Sequence, residues 1–130
     1  MRRDVFEAEA FDESFSGWGW EDVEWGVRVS RRYGVRHIEN TATHMGLDTA
    51  LALACKYEQS AGNFARLATR HPDIVSTYPS YRLANMLKHV PAHGVWRPLL
   101  RSVALHAGAP MGARVAAMKV YRAALYAEAL

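Results

Sequence analysis

Proline placement constrains the fold of this 130-residue chain more than any other feature. Helical hydrophobic patterns fill the chain from Leu47 onward, and prolines or a glycine–proline turn separate them. Pro72 ends the first pattern and Pro79 precedes the second, because proline stops a helix but is tolerated in its first turn. The spacing predicts four helices, at residues 48–69, 80–89, 96–107 and 111–127.

The last of these helices has a stripe of mostly apolar residues at three- and four-residue steps: Met111, Val115, Met118, Tyr121 or Arg122, and Leu125. Such a stripe is typical of a face that packs in a core or against a partner. At the start of the first helix, Asp48 or Thr49 can act as the N-terminal cap. The second part of the chain therefore predicts a bundle of helices.

The first 46 residues have a different texture. Residues 1–20 are acidic and aromatic, are interrupted by two glycines, and are predicted to form a loop. Residues 21–33 predict a helix, since acids at its start and arginines at its end suit the helix dipole. Residues 35–44 are rich in β-branched side chains and predict one or two short strands. We therefore divide the chain into a region at 1–46 and a helical extension at 47–130 packed on it.

Charge is distributed unevenly along the chain. Residues 1–25 contain eight acids and two bases, a net charge of −6, whereas residues 26–130 contain fourteen bases and five acids, a net charge of +9. The basic part could face phosphate groups or an anionic membrane surface. No basic cluster interleaved with aromatic residues occurs, so no nucleic-acid partner is expected.

The location of the protein is predicted from features that the sequence lacks. Cys55 is the only cysteine, which excludes a disulfide framework and a cysteine zinc site. The first residues carry acids where a signal peptide needs an apolar run, and no apolar stretch is long enough to span a bilayer. We expect a cytoplasmic protein, with a peripheral position on the inner membrane face left open.

Residues 16–26, SGWGWEDVEWG, place indoles directly beside carboxylates. In one reading, Glu21 and Asp22 only cap a helix and the tryptophans are partly buried anchors. In the other, the stretch is a sugar site, because an indole stacks on the apolar face of a pyranose while carboxylates accept hydrogen bonds from its hydroxyls. Glycines at 17 and 19 would let the chain turn sharply beside the ligand.

The stretch FDESFSGWGWEDVEWGVRV, residues 11–29, resembles the C-terminal motif of inverting glycosyltransferases of family 2 and of the galactosyltransferase type. In those families a phrase of this kind precedes a helix and then a short strand with a histidine. The histidine corresponds to His44 in NTATHMG, so the specific match covers residues 11–44. The resemblance implies an α-rich α+β fold, equivalent to the acceptor-side half of a GT-A-like fold followed by a helical tail.

The resemblance also implies roles for individual residues. Asp22 matches the catalytic base that deprotonates the acceptor hydroxyl, and Glu21 matches the acid that holds acceptor hydroxyls. Trp18 matches an indole of the acceptor pocket, which Gly19 and Trp20 would complete. His44 matches a ligand of the Mn²⁺ or Mg²⁺ that neutralises the leaving diphosphate. Glu24 is expected to stabilise the helix start or to bind an arginine, and many relatives have glycine at the position of Trp20.

The nucleotide-binding half of these enzymes has no counterpart in the chain, because no βαβ pattern and no D-x-D motif occurs. The missing half is equally compatible with three origins of the chain: a fragment, the product of a split or late-started reading frame, or a remnant with another use. We expect a partial glycosyltransferase that is inactive alone, with a saccharide acceptor and a sugar nucleotide as substrates and a tendency to self-associate. The alternative is a non-catalytic helical module that docks on a protein partner or an anionic membrane surface.

Overall fold

A computed structural model of the protein describes residues 3–36, 38–43 and 46–130. Seven α-helices and no strand occur in these residues. The helices are α1 Arg3–Ala8, α2 Glu21–Arg32, α3 Ala50–Arg70, α4 Pro72–Val75, α5 Pro79–Leu87, α6 His93–Leu105 and α7 Met111–Ala129. No helix within the described ranges is both long and apolar enough to cross a membrane.

The four helices predicted from residue 48 onward are confirmed as α3, α5, α6 and α7, with ends shifted by three residues or fewer. Thr49 caps α3, since its hydroxyl oxygen accepts a hydrogen bond from the Ala52 amide at 3.1 Å. Pro79 is the first residue of α5. The helix predicted at 21–33 is α2.

The α+β fold is wrong, because the strands predicted at 35–44 are not formed. Residues 35–36 and 38–43 have no regular secondary structure, and His37 and His44 lie outside the described residues. β-Branched composition favours an extended backbone, but a strand also needs a neighbour to receive its backbone hydrogen bonds. Val35 and Ile38 remain 60% and 76% exposed, so this segment contributes little to a core.

The loop predicted over residues 1–20 is interrupted by helix α1. Glu9, just after this helix, is only 3% exposed and pairs with Arg28 at 2.8 Å and Arg32 at 2.6 Å. Phe11 stacks on Trp25 at 5.3 Å between ring centroids. The N-terminal segment therefore docks on α2 through contacts that local sequence patterns do not contain.

Helix α7 is the central element of the core and packs against α3, α5 and α6. Its buried residues include four alanines, which allow neighbouring helices to approach closely: Ala117, Ala123, Ala124 and Ala127. Of the stripe predicted on this helix, Met118, Tyr121 and Leu125 are buried, whereas Met111 and Val115 are exposed. The C-terminal half of α7 is thus the part that faces the core.

Helix α2 is held against the bundle by its charged residues. Glu24 is 2% exposed and binds Arg28 at 2.9 Å, which is the arginine contact expected of it. The same carboxylate oxygen of Glu24, Oε1, lies 3.3 Å from the imidazole Nε2 of His71. Arg31 pairs with Asp73 at 2.7 Å and places a guanidinium nitrogen 3.2 Å from His71 Nδ1. These contacts fix the orientation of α2 and therefore of the turn before it.

Candidate functional site

The turn before α2 is built from left-handed backbone. Gly17 has φ 81°, Gly19 has φ 85° and Trp20 has φ 79°. Glycine adopts this region at little cost, whereas a residue with a Cβ pays about 1–2 kcal/mol. A Cβ on Gly17 would lie 3.5 Å from the Gln59 Cβ, which is an ordinary contact, so conformation rather than space favours glycine there. The two glycines therefore allow the chain to reverse immediately before the helix.

Asn63 fastens this turn to α3. Its side-chain nitrogen donates to the carbonyl oxygen of Ser16 at 3.0 Å and to that of Gly19 at 2.9 Å. Asn63 is 2% exposed, so the two bonds form away from bulk water. One side-chain amide thus binds both ends of the segment 16–19, which carries Trp18.

Trp20 lies on the inner side of the turn and packs into the core. Its ring is 5.0 Å from that of Phe64, and its Nε1 donates a hydrogen bond to the Tyr126 hydroxyl at 3.2 Å. The same hydroxyl lies 3.2 Å from Ser60 Oγ, which in turn donates to the Tyr57 carbonyl at 3.0 Å. Burial raises the pKa of Tyr126, so its hydroxyl is neutral near pH 7. This chain of bonds holds the Trp20 indole rigidly.

A cavity of about 440 Å³ opens beside the turn. Its lining comes from the turn, from the start of α2, and from α3 and α7: Trp18, Gly19, Trp20, Glu21, Asp22, Val23, Leu53, Tyr57, Arg122 and Tyr126. The residues expected to serve as catalytic base and substrate contacts therefore share one pocket. We call it the GWGWED pocket.

The two acids of the GWGWED pocket differ in environment. Glu21 Oε2 is buried and has no hydrogen-bond partner. Asp22 is exposed, and its Oδ1 accepts a hydrogen bond from the Val23 amide at 2.8 Å. Both acids lie in the first turn of α2, where the helix dipole stabilises negative charge. Glu21 thus has a carboxylate oxygen that no protein group satisfies, and the Asp22 carboxylate is accessible from solvent.

Trp18 is the exposed aromatic residue of the pocket, with 40% of its surface accessible. The Lys56 ammonium lies 5.3 Å from the centroid of its ring and also pairs with Asp48 at 2.7 Å. A cation over an indole face is attracted by the ring quadrupole. Lys56 therefore restrains the ring while part of it stays open to a ligand.

Sequence reasoning missed half of the pocket lining, namely Val23, Leu53, Tyr57, Arg122 and Tyr126. Two of these, Tyr57 on α3 and Arg122 on α7, bring polar groups to the pocket wall opposite the turn. The Arg122 guanidinium lies 5.2 Å from the ring centroid of Tyr57 and 6.0 Å from that of Tyr126. Its Nε is buried without a hydrogen-bond partner. The signal available in the sequence was an arginine within the otherwise apolar stripe of the last helix.

The divalent cation implied by the resemblance finds no ligand set in the described part of the chain. His44 lies outside the described residues. Among the residues that are described, no group of three or more histidine, cysteine, aspartate or glutamate side chains could hold a metal. The GWGWED pocket contains two carboxylates but also the Arg122 guanidinium, which opposes a second cation. The residues of this pocket do not fit an Mn²⁺ or Mg²⁺ site.

Comparison with known proteins adds no relative. No family model matches the chain. The curated proteins and the solved structures likewise give no significant match. The resemblance to glycosyltransferases therefore rests on the sequence at residues 11–44 alone.

Proposed function

We propose that this protein binds a saccharide in the GWGWED pocket and serves as the acceptor-binding part of a sugar transferase. The observation that carries the proposal is the convergence of Trp18, Glu21 and Asp22 on one cavity in which a carboxylate oxygen of Glu21 is buried and unpaired. A buried unpaired acceptor is costly, and a ligand hydroxyl would satisfy it. The proposal rests on this pocket and not on the fold, because the helical fold of the described residues differs from that of the families with the similar motif.

The pocket offers separate contacts to the two kinds of surface on a sugar. The rings of Trp18 and Tyr57 provide apolar area for the faces of a pyranose, and Glu21 accepts from its hydroxyls. Asp22 would remove the proton from the reacting hydroxyl as that oxygen attacks the anomeric carbon of the donor. A carboxylate is a weak base, so this proton transfer accompanies bond formation instead of preceding it.

The chain alone is not expected to transfer sugar. Transfer needs the reacting atoms of donor and acceptor about 3–3.5 Å apart, and the pocket supplies groups for the acceptor only. The sequence contains no D-x-D motif and no glycine-rich phosphate loop that could hold a diphosphate. A second polypeptide or domain would therefore have to provide the donor site.

Tryptophan fluorescence tests the binding proposal. A saccharide stacked on Trp18 should quench or shift its emission, and Trp18→Phe should abolish that response. Trp96→Phe is the matched control, because Trp96 lies in α6 and its indole donates to the Pro91 carbonyl outside the pocket. An unchanged emission across a broad panel of neutral and acidic saccharides would refute saccharide binding.

One observation favours the alternative of an interaction module. Val95, Leu99 and Val103 form a stripe on α6 and are 67%, 62% and 42% exposed. The two arginines of this helix pair with Glu58 and Glu128, so they do not flank the stripe as free bases. This arrangement favours a protein surface over an anionic lipid, and a second copy can bury the same stripe symmetrically.

Sedimentation velocity over a concentration series tests self-association through α6. A dimer that Leu99→Glu dissociates would support it, whereas Ser102→Glu, also exposed on α6, should leave it intact. A monomer at all concentrations would refute it. Salt-sensitive co-sedimentation with anionic vesicles would instead favour the membrane surface.

A further inference from the structure

Arg122 gives the GWGWED pocket a positive charge, which the binding of a neutral saccharide does not require. It is the one cationic side chain among the described residues that line the pocket. Its Nε is buried with no hydrogen-bond partner, and no acidic side chain of the described residues forms an ion pair with it. Arg122 as a whole is half-buried, but this one donor lacks the acceptor that buried polar groups ordinarily have.

The guanidinium is nevertheless held in position. It lies over the Tyr57 ring at 5.2 Å and near the Tyr126 ring at 6.0 Å, and Tyr126 is itself fixed by its bonds to Trp20 and Ser60. Stacking on aromatic faces holds an arginine while leaving the donors at its edge available. Those donors match the oxygens of a carboxylate or a phosphate in a bidentate geometry.

Glu21 provides the complementary half of the site. One oxygen of its carboxylate is also buried and unpaired, and Glu21 is a lining residue of the same cavity. A neutral sugar can donate a hydroxyl to Glu21 but offers Arg122 only a weak acceptor. A sugar with a carboxylate or phosphate group can satisfy both side chains at once.

We infer that the GWGWED pocket selects a saccharide that bears an anionic group, which binds Arg122 while a hydroxyl of the same ligand binds Glu21. This inference rests on the proposed saccharide function. It assigns Arg122, a residue of the C-terminal helix, as the determinant of ligand charge. The shared chemistry is an anionic oxygen pair, supplied either by a uronate or by a sugar phosphate.

Calorimetric titration of the full chain with glucose, glucuronate and glucose 6-phosphate tests the inference. At least one anionic ligand should bind about tenfold or more tightly than glucose, since a charge-assisted bond contributes at least this factor. Comparison of the two anionic ligands then distinguishes the carboxylate from the phosphate. Inorganic phosphate is titrated alone to measure binding that needs no sugar.

Two variants and one control locate the effect. Arg122→Gln should abolish the preference for the anionic ligands over glucose. Glu21→Gln should weaken all three sugars and preserve the preference. Arg114→Gln is the matched control, because Arg114 lies on the same helix and bonds to the Ala104 carbonyl outside the pocket. If Arg122→Gln does not fold, Arg122→Lys replaces it and should reduce the preference, since lysine lacks the bidentate geometry.

The outcomes of these titrations distinguish a failure of the inference on ligand charge from a failure of the proposed saccharide binding. Equal affinity of the wild type for glucose and both anionic sugars would overturn the inference while leaving saccharide binding intact. A preference that survives Arg122→Gln would also overturn it. Absence of binding by all three sugars would refute the proposed function and the inference together. Equal binding of inorganic phosphate and glucose 6-phosphate would show a simple anion site and overturn the role of the sugar.

Discussion

Replacement of Asn63 by alanine should open the turn that carries Trp18. The variant loses two hydrogen bonds, to the carbonyls of Ser16 and Gly19, that form at a position only 2% exposed. Each bond contributes about 1 kcal/mol, so the loss is about 2 kcal/mol. Alanine also forms helix better than asparagine, which returns about 0.5 kcal/mol. The expected net fall in the free energy of unfolding is therefore about 1.5 kcal/mol.

Asn85→Ala is the matched control for this prediction. Asn85 is an exposed residue inside α5, so the same substitution there changes helix propensity without removing a bond to the turn. Urea unfolding followed by far-ultraviolet circular dichroism gives both free energies. The difference between the two variants isolates the contribution of the turn and should be about 2 kcal/mol. A difference below about 0.5 kcal/mol would refute the assignment of Asn63 as the residue that holds the turn.

Three further predictions concern single side chains. In any assembly that supplies the donor half, Asp22→Asn should lower turnover at least about a hundredfold with little change in stability, and turnover within a few-fold of the wild type would exclude Asp22 as the base. Glu9→Gln should lower the free energy of unfolding by about 2 kcal/mol in urea, because two arginines lose a buried carboxylate, whereas the exposed Glu7→Gln should change it by less than about 0.5 kcal/mol. Burial, with the hydrogen bond to Glu58, raises the pKa of Tyr121 to about 12, so stability should fall as the pH rises from about 10, where the unfolded side chain ionises, to about 12. Tyr121→Phe should lose less stability over that range in urea unfolding, and an equal loss would contradict this assignment.

Local patterns were sufficient to predict most of the helices. Pro72 and Pro79 mark helix ends directly, and the Thr49 cap acts within three residues of itself. The predicted strands at 35–44 failed because pairing depends on a distant partner that a β-branched segment cannot specify. Helix α1 was missed for a related reason, since the segment that contains it is held by distant contacts, such as the ion pairs of Glu9 with two arginines of α2.

The pocket could be predicted only on the side that is continuous in sequence. Trp18, Gly19, Trp20, Glu21 and Asp22 are neighbours in the chain, so their common location follows from one tight turn. The opposite wall comes from α3 and α7, whose arrangement is set by the packing of the whole bundle. The saccharide role of the five residues stays a prediction, because contacts within the protein do not identify a ligand.

One turn of helix α7 packs in the hydrophobic core, and the adjacent turn of the same helix lines the pocket. Tyr126 stacks on Phe64 with 4.1 Å between ring centroids, and Arg122, four residues earlier, lines the cavity. No partly folded chain that lacks a docked α7 can therefore keep the site. Any ligand of the pocket should raise the melting temperature by mass action, with about 2.7 kcal/mol gained at a hundredfold excess over its Kd. Thermal shift can consequently rank ligands without any activity assay, and a chain that ends before Met111 should respond to none of them.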